Sequence, residues 1–172
     1  MELTKMARPY ISTELRKLVA ERADFLCEYC LISASDRVSG CQFDHLISVK
    51  HGGATLADNL CYACIFCNLQ KGIDLGSINW ETGELVRFFN SRRDFWKEYF
   101  QLKEAFIQPT TDIGSVTARI LDFNNKERLK ERQLLIEIAK YPPVSAKQRL
   151  LSSLGFNRHP KHSKRSCYCD RV

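Results

Sequence analysis

Two Cys-x-x-Cys pairs, Cys27/Cys30 and Cys64/Cys67, frame a second group of polar residues: Asp44-His45, His51-Gly52-Gly53, Asn59 and, directly after the last cysteine, Asn68. The two groups differ in hardness. Thiolates suit zinc, which takes four tetrahedral ligands and favours sulfur. Each Cys-x-x-Cys turn presents two sulfurs on one side of the backbone, so two turns complete one shell. A carboxylate and carboxamides suit a hard divalent cation such as Mg²⁺ or Mn²⁺. Histidine adds a proton acceptor that is neutral near physiological pH. Hydrolysis of a phosphodiester needs an attacking hydroxide, counter-charge for the crowded phosphate, and help for the departing alkoxide. Neighbouring residues on a strand face opposite ways. Asp44 can therefore meet a cation while His45 meets a water.

Other uses of the cysteines are weaker. A single Cys-x-x-Cys can be a redox motif, but that expects a βαβ context this pattern lacks. Disulfides belong to oxidising compartments. The residues from Met1 to Pro9 hold no apolar run, so no secretory signal is expected there, and a reducing cytoplasm is the expected setting. Cys41 and Cys61 have no Cys-x-x-Cys partner and read as small buried hydrophobes. Cys167 and Cys169, in a basic tail, are left without a role.

The elements that must position these groups are short. Residues 13–25 are predicted to be a helix, capped by Ser12 or Thr13, with Leu15, Leu18, Val19 and Ala23 as its apolar stripe. Residues 41–47 and 60–63 are strand-like, with a glycine-containing loop at 50–58 between them. A helix over 66–71 is stopped by Gly72. Beyond lies a hairpin over 77–89, turning at Thr82-Gly83. Ser91 is then expected to open a helix carrying Phe95, Trp96, Tyr99 and Phe100, whose end is left open because Ala105-Phe106-Ile107 could be strand. Two more helices are predicted at 113–121 and 126–140, the second ended by Pro142-Pro143. The aromatic residues of this region read as packing residues. The expected division is a site-bearing core at 1–76, a hairpin and helical extension at 77–143, and a basic, mobile tail at 144–172.

Composition sets outer limits. The 172 residues are 44% hydrophobic and 27% charged, as in an ordinary globular protein. Twenty-six basic against 20 acidic side chains give a net charge of +6. That excess permits a polyanionic partner without requiring one. No stretch approaches the roughly 18 apolar residues of a membrane span, so no membrane partner is expected, and no obligate protein partner is inferred.

Phe43-Asp44-His45-Leu46-Ile47, His51-Gly52-Gly53, Asp58-Asn59-Leu60 and Cys64-x-x-Cys67-Asn68-x-x-Lys71-Gly72 occur in that order. This series resembles the HNH endonucleases, in a zinc-clipped form whose last histidine is replaced by Asn68. The resemblance implies an α+β fold: a ββα-metal, treble-clef-like nuclease core stapled by a zinc on four cysteines, followed by a mainly helical extension. It implies His45 as general base, Asp44 and Asn68 as ligands of the catalytic Mg²⁺ or Mn²⁺, and Asn59 as the residue that holds the loop and orients His45. It implies DNA as substrate, with 5′-phosphate and 3′-hydroxyl ends as products. Residues 82–90, Arg93, Trp96, Phe100 and Thr111-x-x-Gly114 are similar to the extension of one bacterial subgroup, with Asn90-Ser91-Arg92 where that subgroup often has Asn-Pro-Arg. His51, Lys71, Arg92 and Arg93 are the candidate nucleic-acid contacts, against simpler readings as solvated or dipole-stabilising side chains. Two rivals use fewer of these residues: a non-catalytic zinc module that binds nucleic acid, and a zinc-stapled protein-interaction domain.

Overall fold

The computed structural model describes residues 9–151. Helix α1, Thr13–Arg22, starts where the Ser12 hydroxyl accepts the Leu15 N–H at 3.2 Å. It is shorter than the apolar stripe suggests. Asp24 and Phe25 adopt positive φ and turn the chain out of the helix. The first cysteine pair follows in a tight knuckle: Leu31 N–H bonds Cys27 O, Cys27 N–H bonds Ile32 O, and Leu26 bridges Ser33.

Strand β1, Cys41–His45, pairs antiparallel with β2, Leu60–Cys64, setting Asp44 opposite Cys61 and His45 opposite Leu60. Helix α2, Ile65–Lys71, leaves β2 without a loop, and Gly72 ends it with φ +53°. The second cysteine pair thus spans the start of α2. Its two members lie one helical turn apart, where the backbone N–H groups favour a thiolate.

The rest mixes strands with helices. Strands β3, Gly76–Ile78, and β4, Leu85–Arg87, form the expected hairpin. The helix expected from Ser91 is only one turn, α3, Trp96–Tyr99. Phe100 instead opens β5, Phe100–Lys103, which pairs with β6, Phe106–Pro109. Helices α4, Asp112–Ile120, and α5, Lys126–Glu137, lie close to their expected places. A mobile tail was expected from residue 144, but Val144–Leu151 form helix α6. Cys167, Cys169 and the basic residues around them lie outside the described residues.

The fold is therefore mixed α/β, with three small antiparallel sheets among the described residues. One apolar cluster joins the four paired cysteines to Tyr29, Phe89, Trp96, Phe100 and Phe123. A second lies between α1 and the β1–β2 sheet, around Val19, Leu60 and Tyr62. Trp80 departs from the packing role expected of the aromatics. It is 79% exposed, with the Arg119 guanidinium 3.8 Å from its ring centre. No helix among the described residues is long and apolar enough to cross a membrane.

Candidate metal centre and active site

The sulfurs of Cys27, Cys30, Cys64 and Cys67 all lie within 4.8 Å of one another, and all four residues are buried. Tetrahedral zinc with bonds of about 2.3 Å separates its sulfurs by about 3.8 Å. The Cys30 and Cys64 sulfurs stand 3.8 Å apart. Burial pushes the Cys27 and Cys67 thiols well up, while hydrogen bonds from the neighbouring thiols draw Cys30 well down. Four buried sulfurs at this spacing fit a dication that takes all of them as thiolates. Cys41 and Cys61 stand outside the cluster, and burial raises both thiols.

Residues far along the chain support this centre. Arg128 of α5 is 2% exposed and donates from Nη2 to Cys67 Sγ at 3.0 Å. Tyr141 OH donates to Cys30 O at 2.9 Å, and Trp96 Nε1 donates to Tyr29 O at 2.8 Å. Sequence reasoning missed all three. Arg128 lies 61 residues from Cys67, and nothing local marks it.

On β1, Gln42 and Asp44 lie on one face, and α2 packs across it. Asn68 Nδ2 donates to Gln42 Oε1 at 2.6 Å. One turn later, Lys71 Nζ lies 3.0 Å from Asp44 Oδ2 and donates to His45 O at 2.8 Å. Two adjacent rungs thus join the strand to the helix, with Asp44 on β1 and Asn68 on α2. Asn68 keeps Oδ1 as a ligand atom, because its amide nitrogen is spent on Gln42. Asp44 Oδ2 is buried and pairs with the Lys71 ammonium at 3.0 Å. Burial raises the Asp44 carboxyl, against the pull of Lys71. A carboxylate and a carboxamide oxygen are ligand types that suit a hard cation.

His45 ends β1 with Nε2 2.9 Å from Thr55 Oγ1. In the tautomer whose Nε2–H donates to Thr55, Nδ1 carries the lone pair; in the other, the Thr55 hydroxyl donates to Nε2. Burial lowers the imidazole pKa, so the ring is neutral and basic at neutral pH. Thr55 was not anticipated.

Asn59 holds the loop as expected but does not touch His45. Its Oδ1 accepts Ile47 N–H at 2.8 Å, and its Nδ2 donates to Ile47 O and Ala54 O at 2.8 and 2.9 Å. It thereby fixes Ala54, the residue before Thr55, and any effect on the imidazole passes through that hydroxyl. Gly53 is confined by the same clip: a Cβ there would fall 1.7 Å from Ile47 O. No larger residue fits.

The four candidate nucleic-acid contacts separate by burial. Lys71 is 2% exposed and ties Asp44 to the His45 carbonyl, so it is an internal strut. Arg92 is also inside. It pairs with buried Glu28, whose other oxygen accepts Tyr62 N–H, and burial brings its guanidinium down to about 9. Burying a carboxylate demands a cation beside it, and Asp44 and Glu28 claim these two. His51 and Arg93 are exposed.

Removing Lys71 should be costly. Lys71→Met leaves Asp44 buried without its counter-charge, a loss of roughly 3–5 kcal/mol. The sign with pH follows from burial, which favours the neutral carboxyl. Protonating Asp44 relieves the mutant, so the gap in Tm from wild type should narrow from neutral to mildly acid pH. Thermal unfolding at the two pH values measures this; a variant as stable as wild type at neutral pH would mean that Lys71 is no strut.

Residues 27–73 match the family model of the HNH endonucleases. No curated protein and no solved structure matches the chain. The HNH segment begins at Cys27 and closes just after Gly72. It contains all four clustered cysteines, Asp44, His45, Asn59 and Asn68, and it suggests nuclease activity in general terms. Thr55 and Gln42 lie inside the HNH segment as well, whereas Arg128, Tyr141 and Trp96 reach it from outside.

Proposed function

We propose that the protein is a metal-dependent DNA endonuclease. What supports this reading is that the HNH segment carries a buried carboxylate, Asp44, and an imidazole held by Thr55, His45, at the end of β1, with Asn68 on the helix that packs against that strand. His45 Nδ1 takes the proton of a water that attacks the phosphorus. Thr55 holds the ring while it does so, and Asn59 holds the loop that carries Thr55. Asp44 and Asn68 hold Mg²⁺ or Mn²⁺, which when bound supplies counter-charge to the phosphate and to the leaving 3′ oxygen. The products on this reading carry 5′-phosphate and 3′-hydroxyl ends. The two strands and α2 then serve as a ββα-metal core, and residues 76–151 as its extension. The cysteine cluster is a structural zinc, which needs the reduced thiols that a cytoplasm provides.

The test is cleavage of supercoiled plasmid with Mg²⁺ or Mn²⁺, followed by analysis of the ends. Wild type should cut only with the cation. Asn68→Ala should need a higher cation concentration for half-maximal rate and keep its zinc, because among the described residues its side chain bonds only Gln42. Wild-type protein that binds DNA yet never cuts it would leave the non-catalytic zinc module as the better account.

A further inference from the structure

Between the HNH segment and the β3–β4 hairpin lies a cavity of about 160 Å³. Buried Leu46, Phe88 and Phe89 and the more exposed Leu75 give it apolar walls. Three cations also line it: Lys71, Arg87 and Arg93. Two of them are already neutralised. Lys71 faces Asp44, and Arg87 makes a bidentate pair with Asp94 at 2.6 and 2.9 Å. Arg93 is exposed and has no side-chain partner among the described residues. Asn90, in the same wall, has its carbonyl oxygen taken by Arg92 N–H, which leaves only amide hydrogens to offer. The cavity therefore combines apolar surface, unspent donors and one uncompensated guanidinium. Lys71 belongs both to this wall and to the Asp44 pair, so one residue links the cavity to the candidate catalytic carboxylate.

The geometry points to a binding site for the sugar-phosphate unit next to the scissile phosphate, with Arg93 as its phosphate ligand. The inference rests on the DNA-cleaving reading above. A deoxyribose presents apolar faces to the walls, and its phosphate meets the guanidinium, whose fork matches two phosphate oxygens. Arg93 is thus the member of the Arg92-Arg93 pair that remains available to a phosphate, because Glu28 holds the other.

The experiment uses the full chain carrying His45→Ala, so that DNA survives, and measures its affinity for a short labelled duplex by anisotropy over a range of salt. Adding Arg93→Gln should make the slope of log affinity against log salt shallower by about 0.9, the value for one phosphate contact. The affinity lost between about 50 and about 200 mM salt then shrinks by roughly threefold. Arg93→Lys should restore most of the slope. The Tm should not move, since the side chain bonds nothing among the described residues. An unchanged slope overturns the inference. So does a variant that loses binding of inorganic phosphate, measured by calorimetry, while keeping its DNA slope, for then the site serves free phosphate. Wild-type cleavage of plasmid is scored separately. Cutting with an unchanged Arg93→Gln slope removes this inference alone. No cutting with a changed slope removes the nuclease reading and retains Arg93 as a DNA contact.

Discussion

His45→Ala should slow DNA cleavage by roughly 10²–10⁴-fold, the contribution of a positioned general base. The same variant should keep wild-type zinc content and Tm. The ring's one side-chain hydrogen bond goes to Thr55 in a surface loop, and that loop is closed independently by Asn59. Lys71 binds the backbone carbonyl of residue 45, which alanine retains. Stability and chemistry are therefore separable at this position. Plasmid cleavage, metal analysis and thermal unfolding on one preparation decide it. Identical cleavage by variant and wild type would end the reading of His45 as the base, and with it the proposed mechanism.

Cys64→Ser should produce the larger structural effect. Binding of structural zinc contributes about 10–16 kcal/mol in small zinc modules at neutral pH. That is as large as the whole stability of a typical domain, about 5–15 kcal/mol. The four cysteines also lie inside the apolar cluster that reaches Phe89, Trp96, Phe100 and Phe123. Loss of the ion should then loosen the packing of both the HNH segment and the residues that follow it, with a large fall in Tm and loss of bound zinc. Arg128 would lose the anionic partner that its burial requires. Cys41→Ser is the control, because Cys41 lies outside the ligand set, and it should keep its zinc. Zinc content unchanged in Cys64→Ser would mean that the four sulfurs are not the shell.

Local pattern announced the elements around the site. Alternating strands, a Cys-x-x-Cys at a helix start and a glycine at its end are short-range signals, and β1, β2 and α2 follow them closely. The helix expected from Ser91 failed for a definite reason. Phe95, Trp96, Tyr99 and Phe100 have helical spacing, but Asn90 and Asp94 fold the preceding residues into a turn. Phe100 then extends to pair with Pro109. Ala105-Phe106-Ile107 could already be read as strand, and β6 takes up Phe106 and Ile107, but the turn before it is unmarked, because Glu104 takes its positive φ without glycine or asparagine.

The chain's own order of residues thus determined which atoms are available: four thiols in two pairs, and a carboxylate, imidazole and carboxamide at fixed separations. Residue type and spacing along a strand or helix are enough for that. Only the tertiary structure decided how the cations are shared. Lys71, Arg92, Arg93 and Arg128 look alike in sequence. Folding buries Asp44, Glu28 and the cysteine sulfurs, and each buried anion draws the nearest long cation into the interior. Arg93 has no such claim on it, and the reason is one of position in space, which spacing along the chain does not encode.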